Sequence, residues 1–281
     1  MEKKICLPKA SLFAAALFSI ILICTTGSFA AEGDVKYSGN CGSNVQYTVT
    51  EKADGTYLLS LTGEGDMYDW MLPDSQAWKN YRDSISQIVI GEGITGVGVF
   101  SFYNLKNAVS VTLPSTLTKI DDYGFYGCGF TAITLPAKLK SIGFKAFESS
   151  KVQNIQIPAS VEMIDGRAFA NTPFGDALSG EYVMLGDSVL YKYNGTSEKV
   201  TIPDTVKHIA GSAFSSNSSV KEVVIPSSVT SIGSEAFYNC SALEKVTIPE
   251  TVGSIGRDAF KYTPFIEAHT EDFIILAGHI L

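Results

Sequence analysis

Histidine is almost missing from this 281-residue chain: His208, His269 and His279 are all it has. Cysteine is scarce too, at five, and Cys6 and Cys24 fall within the first thirty residues. Metal centres and nucleophile–base pairs are built largely from these two residue types, so both chemistries start short of components. No Gly-x-Ser-x-Gly elbow, His-Glu-x-x-His helix or phosphate-cradling glycine loop occurs. Carboxylates are plentiful, but Asp121-Asp122 and Glu271-Asp272 are adjacent in sequence and not spaced as an acid–base couple. In "GEGDMYDW", Glu64, Asp66 and Asp69 lack the ordered spacing of a calcium loop and read as turn residues. The expectation is a protein that is not an enzyme, with no catalytic residue, cofactor or metal.

Basic charge is also in short supply. Lys and Arg total 21 against 29 Asp and Glu, a formal net charge of −8, which argues against nucleic acid and anionic membrane as partners. Long apolar runs are missing but for one, Ala10 to Cys24, shorter than the roughly 20 residues of a spanning helix. Lys3, Lys4 and Lys9 precede it and Ser28-Phe29-Ala30 follows, so residues 1–30 read as a secretory signal peptide cleaved after Ala30. The expected product has no membrane span and is secreted or held at the cell surface. It keeps Cys41, Cys128 and Cys240, an odd number that leaves at least one thiol free.

What the chain does have is repetition. Pro114, Pro136, Pro158, Pro203, Pro226 and Pro249 recur at 22–23 residues or twice that, and Gly91 takes the same place one unit earlier. Eleven residues past each of these anchors stand Phe102, Phe125, Phe147, Phe169, Phe214, Phe237 and Phe260. Six past stand Val97, Ile120, Ile142, Ile164, Ile209, Ile232 and Ile255. A unit this short cannot bury its own apolar face, but stacked units bury a continuous one. Period-2 stretches such as Val246-Thr247-Ile248 predict a short strand before each anchor, stopped by the proline. A second extended piece follows, as at Val229–Ile232, and Gly98, Gly143, Gly233 and Gly256 are read as turning the chain. The phenylalanines predict one shared interior column. His208 takes an outward polar slot and reads as solvated. Cys128 and Cys240 share one slot five coils apart, roughly 24 Å at strand spacing, too far for a disulfide. Both are expected to be buried free thiols, with Cys41 buried as well.

The marks Ile-Pro, Ile-Gly and Ala-Phe in "VVIPSSVTSIGSEAFYNCSALEKVTIP" closely resemble the BspA-like leucine-rich repeats of bacterial exported and surface proteins. The segments "SGNCGSNVQYTV" and "LSLTGEGDMYDW" and Trp78 resemble the leader that precedes such repeats. The resemblance implies an all-β-rich solenoid, a leucine-rich repeat coil with two short strands per repeat. Residues 31–84 would form an N-terminal β cap and residues 85–281 the repeats, with a variant rung at 171–195 and a truncated copy of it at 262–281. Because the chain stops inside that copy, it reads either as a fragment of a longer repeat protein, the favoured expectation, or as a coil closed by a short final strand. The resemblance also implies adhesion: contact with a protein partner, a host extracellular matrix or cell-surface protein.

The outward columns of the first strand supply candidate protein-binding residues. Two before the anchors are Thr112, Thr134, Gln156, Thr201 and Thr247; four before are Asn154, Lys199, Glu222 and Lys245. The alternatives are glycan binding through Met67, Trp70, Trp78 and Tyr81, residues that more often form the small core of a cap, and a structural spacer within a larger surface protein.

Overall fold

A computed structural model describes residues 33–268 and the backbone of 275–276 and 279–280. The expected signal peptide at 1–30 and His269 lie outside the described residues.

The chain forms a β-solenoid of about seven turns with repeats of about 23 residues, little helix and an N-terminal antiparallel sheet. That sheet contains β1 (Val35–Asn40), β2 (Val45–Glu51) and β3 (Tyr57–Gly63), with β1–β2 and β2–β3 antiparallel. Alternating inward residues Val45, Tyr47 and Val49 of β2 are buried, as period-2 geometry requires. β3 then pairs in parallel with Ile85–Ile90, and Ile85–Ile90 with Ser110–Thr112. The N-terminal sheet is therefore continuous with the first-strand wall of the coil, so the first coil strand is paired on its N-terminal side and the sheet's edge is β1.

Second strands form the other wall. Gly65–Asp66, Ile94–Val97, Lys119–Ile120, Ser141–Ile142 and Met163–Ile164 run parallel in one sheet. His208–Ile209, Ser231–Ile232 and Ser254–Ile255 run parallel in another.

The remaining side of each coil is closed by an unusual backbone. Nine past the anchor, Phe100, Tyr123, Lys145, Arg167, Ser212, Glu235 and Asp258 all have φ between 55° and 64°. Thirteen past, Asn104, Gly127, Ser149, Asn171, Ser216, Asn239 and Tyr262 have φ between 54° and 66°. A non-glycine residue in this region costs on the order of 1–3 kcal/mol, and the stacking offsets it. Alternate N–H groups are aimed at the next coil: Phe100, Phe102 and Asn104 donate to the carbonyls of Asp122, Gly124 and Tyr126. Ser212, Phe214 and Ser216 do the same to Ser234, Ala236 and Tyr238. The glycines read as turning the chain have another reason. Gly233 and Gly256 lack positive φ, but a Cβ at either would lie 2.3 Å from a backbone nitrogen of the preceding coil. They permit close approach.

Every phenylalanine of the interior column is buried, but the column is two stacks, not one. Trp78, Phe102, Phe125, Phe147 and Phe169 are stacked at 5.0–5.9 Å. Tyr193, Phe214, Phe237 and Phe260 are stacked at 4.7–5.1 Å. Between them Phe169 meets Tyr191 edge-on at 6.0 Å and 64°. The two stacks belong to separate clusters of buried residues.

The variant rung causes the division. Where a first strand would stand, Thr172 caps the helix α1 (Pro173–Ala177) by accepting from the Gly175 N–H, with proline at the first helical position. A hairpin follows, Tyr182–Leu185 antiparallel to Val189–Tyr193, whose second strand starts the next sheet beside His208–Ile209. Its closing loop is short, so Gly166 and Gly211 of the flanking coils meet directly: a Cβ on Gly166 would lie 2.4 Å from the Gly211 carbonyl oxygen. The plan recurs at α2 (Pro264–Glu267), capped by Thr263, followed by the pair Ile275–Leu276 and His279–Ile280.

Candidate interaction face

The thiols sit in the wall as the stacking demands. Cys41, Cys128 and Cys240 are free and buried. The Cys128 and Cys240 thiols donate to the carbonyls of Phe102 and Phe214, at 3.1 and 3.0 Å. Burial pushes the Cys41 thiol up to about 12 and Cys240 to about 11, which removes the thiolate that nucleophilic chemistry needs. Among the described residues no group of three or more His, Cys, Asp or Glu is placed to hold a metal ion, and no helix is long and apolar enough to cross a membrane. Asp66 accepts from the Thr95 hydroxyl at 2.6 Å and pairs with Lys119 at 3.1 Å. Asp69 accepts from the Val99 N–H at 2.9 Å. Both tie the N-terminal segment to the first coils.

His208 corrects the sequence reading: it is buried, 3% exposed. Its Nδ1 lies 2.7 Å from the Ser231 hydroxyl, and desolvation depresses its pKa to about 4, against the pull of the Ile164 carbonyl. Regular coils offer that carbonyl to the next coil, as Ile142 does to the Asp165 N–H. At the variant rung the imidazole is buried beside that carbonyl, with its Nε2 lacking a hydrogen-bond partner among the described residues. Tyr191 makes a hydrogen-bonded repair. The Phe147 N–H donates to the Ala168 carbonyl, but the equivalent Phe169 N–H finds only the Tyr191 hydroxyl, at 3.2 Å. Beside this junction a cleft of about 290 Å³ opens between Arg167, Asp176 and Lys192. Arg167 is already held by the buried Glu148 carboxylate at 2.9 Å, with Lys145 3.1 Å away on the same group.

All nine candidate face residues lie on the first-strand wall, and all but the half-buried Glu222 are exposed. They divide into two environments. On the C-terminal side Lys199–Thr201, Glu222–Val224 and Lys245–Thr247 are fully laddered. Glu222 there pairs with Lys199 at 3.1 Å and with Lys245 at 3.2 Å, so the three charges satisfy one another. On the N-terminal side Thr134, Asn154 and Gln156 rim a shallow groove of about 630 Å³ floored by Ile133, Leu135, Ile155 and Phe174. No charged residue lines it. The aromatic alternative fares differently: Met67 and Trp78 are buried, and Trp70 and Tyr81 pack against the core, so these rings form the interior of the N-terminal sheet. Sequence reasoning missed an outer aromatic cluster, where Phe100 stacks on Tyr123 at 4.7 Å and Tyr103 on Tyr126 at 4.8 Å. Reading the column nine past the anchor would have found its first members.

The BspA-type leucine-rich repeat region model matches in six copies, over residues 74–179 and 176–267. The chain belongs to the BspA-type leucine-rich repeat family. Among solved structures it is similar to a leucine-rich repeat protein from Eubacterium ventriosum, with 27% identity, TM-score 0.46 and coverage of 82% of this chain and 70% of that one. It is also similar to a leucine-rich repeat protein from Bacteroides ovatus, with 21% identity, TM-score 0.37 and coverage of 78% and 79%. A leucine-rich cell surface protein from Faecalibacterium prausnitzii shares 21% identity at TM-score 0.33, covering 82% of this chain and 81% of its own. No curated protein matches. BspA-type repeats are typically non-catalytic.

Proposed function

We propose that this BspA-type chain is an exported, non-enzymatic interaction module that contacts a protein partner, a host extracellular matrix or cell-surface protein, through its first-strand wall. In this reading residues 1–30 are the export signal, 31–84 cap the coil and 85–281 carry the repeats. One observation carries it: Thr112, Thr134, Asn154, Gln156, Thr201 and Thr247 are exposed on the first-strand side of the coil, and solenoids bind through the extended surfaces of their stacked repeats. Lys199, Glu222 and Lys245 share the wall but are ion-paired with one another, so the uncharged members bear the contact. Binding of the purified protein to a panel of immobilised matrix proteins tests the reading. Replacing Thr134, Asn154 and Gln156 together with alanine is expected to abolish capture without lowering the melting temperature. Undiminished capture by that variant rules out this face.

A further inference from the structure

Between Thr112 and Lys199 the first-strand wall loses its ladder. On the C-terminal side the Ile202 N–H donates to the Val224 carbonyl and the Ile225 N–H to Thr247, each at 3.0 Å. The equivalent Leu135 N–H has no backbone acceptor, and neither have the N–H groups of Thr134, Ile155, Gln156 and Ile157. The Ile133 N–H donates to the Asn154 carbonyl at 3.3 Å, and the Gln153 and Asn154 N–H groups to the Thr131 carbonyl at 2.9 and 3.1 Å, so the two segments are joined at their start by an isolated bridge and are unladdered beyond it. The variant rung leaves the outer edge of the second segment open. No first strand follows Ile157, because α1 stands in its place and satisfies only the start of the edge, through the Phe174 N–H on the Val152 carbonyl at 3.0 Å. The opening coincides with the uncharged groove, with Thr134, Asn154 and Gln156 at its lip and Ile133, Leu135 and Phe174 in its floor.

We infer that this opening receives an extended, uncharged segment of the partner protein as an added β-strand. Three properties point to that occupant together. Unpaired backbone donors at a strand edge are met by the regularly spaced carbonyls of another strand. The apolar floor takes the side chains of alternate residues. A lip without charge leaves any lysine or glutamate of the incoming segment desolvated and unmatched. A neutral sugar would occupy the lip amides but leave the row of main-chain donors without acceptors. The inference rests on the interaction face proposed above and names what that face binds.

Hydrogen exchange on the full chain, read by mass spectrometry over residues 132–136 and 154–158, tests it with a capped seven-residue peptide alternating valine and threonine. Saturating peptide is expected to slow exchange in both segments by about tenfold or more. The same peptide N-methylated at alternate amides is expected to have no effect, and Gln156→Pro to lose the slowing while melting as the parent does. No slowing, equal slowing by the N-methylated peptide, or slowing by a neutral oligosaccharide in place of the peptide each overturns strand addition. Matrix-protein capture that depends on Thr134, Asn154 and Gln156 alongside an inert peptide also overturns it, and leaves the face standing. Slowing by the peptide without any matrix capture supports strand addition and removes matrix proteins as the partner.

Discussion

The coils before the variant rung and those after it follow the same interior plan but present different surfaces. Both halves stack phenylalanines at about the same spacing and close each coil with the same pair of left-handed residues. Outside, the N-terminal coils carry the stacked pairs Phe100–Tyr123 and Tyr103–Tyr126 and an unladdered, uncharged groove. Their C-terminal counterparts carry Ser212, Glu235 and Asp258 in the first of these slots and Ser215, Tyr238 and Lys261 in the second, beside a fully paired wall with a row of ion-paired charges. Repetition therefore dictates the interior and leaves the outside free to vary. The surface suited to a partner lies where the repetition fails.

The largest effect should come from the interior. Phe147→Ala and Phe237→Ala are each expected to cost about 3–5 kcal/mol in denaturant unfolding, because both rings are fully buried between stacked neighbours. A large difference between the two would break the equivalence of the halves.

Acid should find the junction next. His208 titrates near 4 in the folded chain and near 6.5 when unfolded. The unfolded state thus binds the proton first, and stability that is complete above pH 6.5 falls as pH drops toward 4, by about 3 kcal/mol from this group. His208→Gln is expected to flatten that part of the stability–pH curve relative to the parent. A variant with the parent's full slope would show that the imidazole is solvated after all.

Removing the Tyr191 repair should cost less. Tyr191→Phe leaves the Phe169 N–H without its acceptor, a loss of about 1–3 kcal/mol, whereas the same change at the outer residue Tyr126 should be near neutral. The smallest effect belongs to Glu222→Gln. Its ion pairs are surface pairs of the kind that salt screens, so the melting temperature should barely move, and less still at high salt.

Much of this was readable in advance. The proline register, the phenylalanine column, the two strands per coil and the fate of Cys128 and Cys240 all follow from stacking units of equal length. The left-handed residues nine past the anchor were not readable, because Phe, Tyr, Lys, Arg, Ser, Glu and Asp share no local preference for that conformation; the next coil's carbonyls impose it. Thirteen past, Asn104, Gly127, Asn171 and Asn239 did carry a signal, since Asn and Gly tolerate positive φ best. Thr172-Pro173 and Thr263-Pro264 were a legible helix start, a capping residue followed by proline, and would have located both helices. His208 was misjudged because its slot faces outward in ordinary coils. Only the shortened loop of the variant rung, a tertiary event, turns that slot inward.

The candidate face was legible as columns but not as two environments, because pairing along the wall depends on what α1 replaces. The account stands most directly on binding measured for two triple variants side by side. Alanine at Thr134, Asn154 and Gln156 should weaken matrix-protein binding by about tenfold or more, while alanine at Lys199, Glu222 and Lys245 should change it by less than about twofold. Equal losses, or the reverse order, would contradict the assignment of contact to the open, uncharged stretch of the wall.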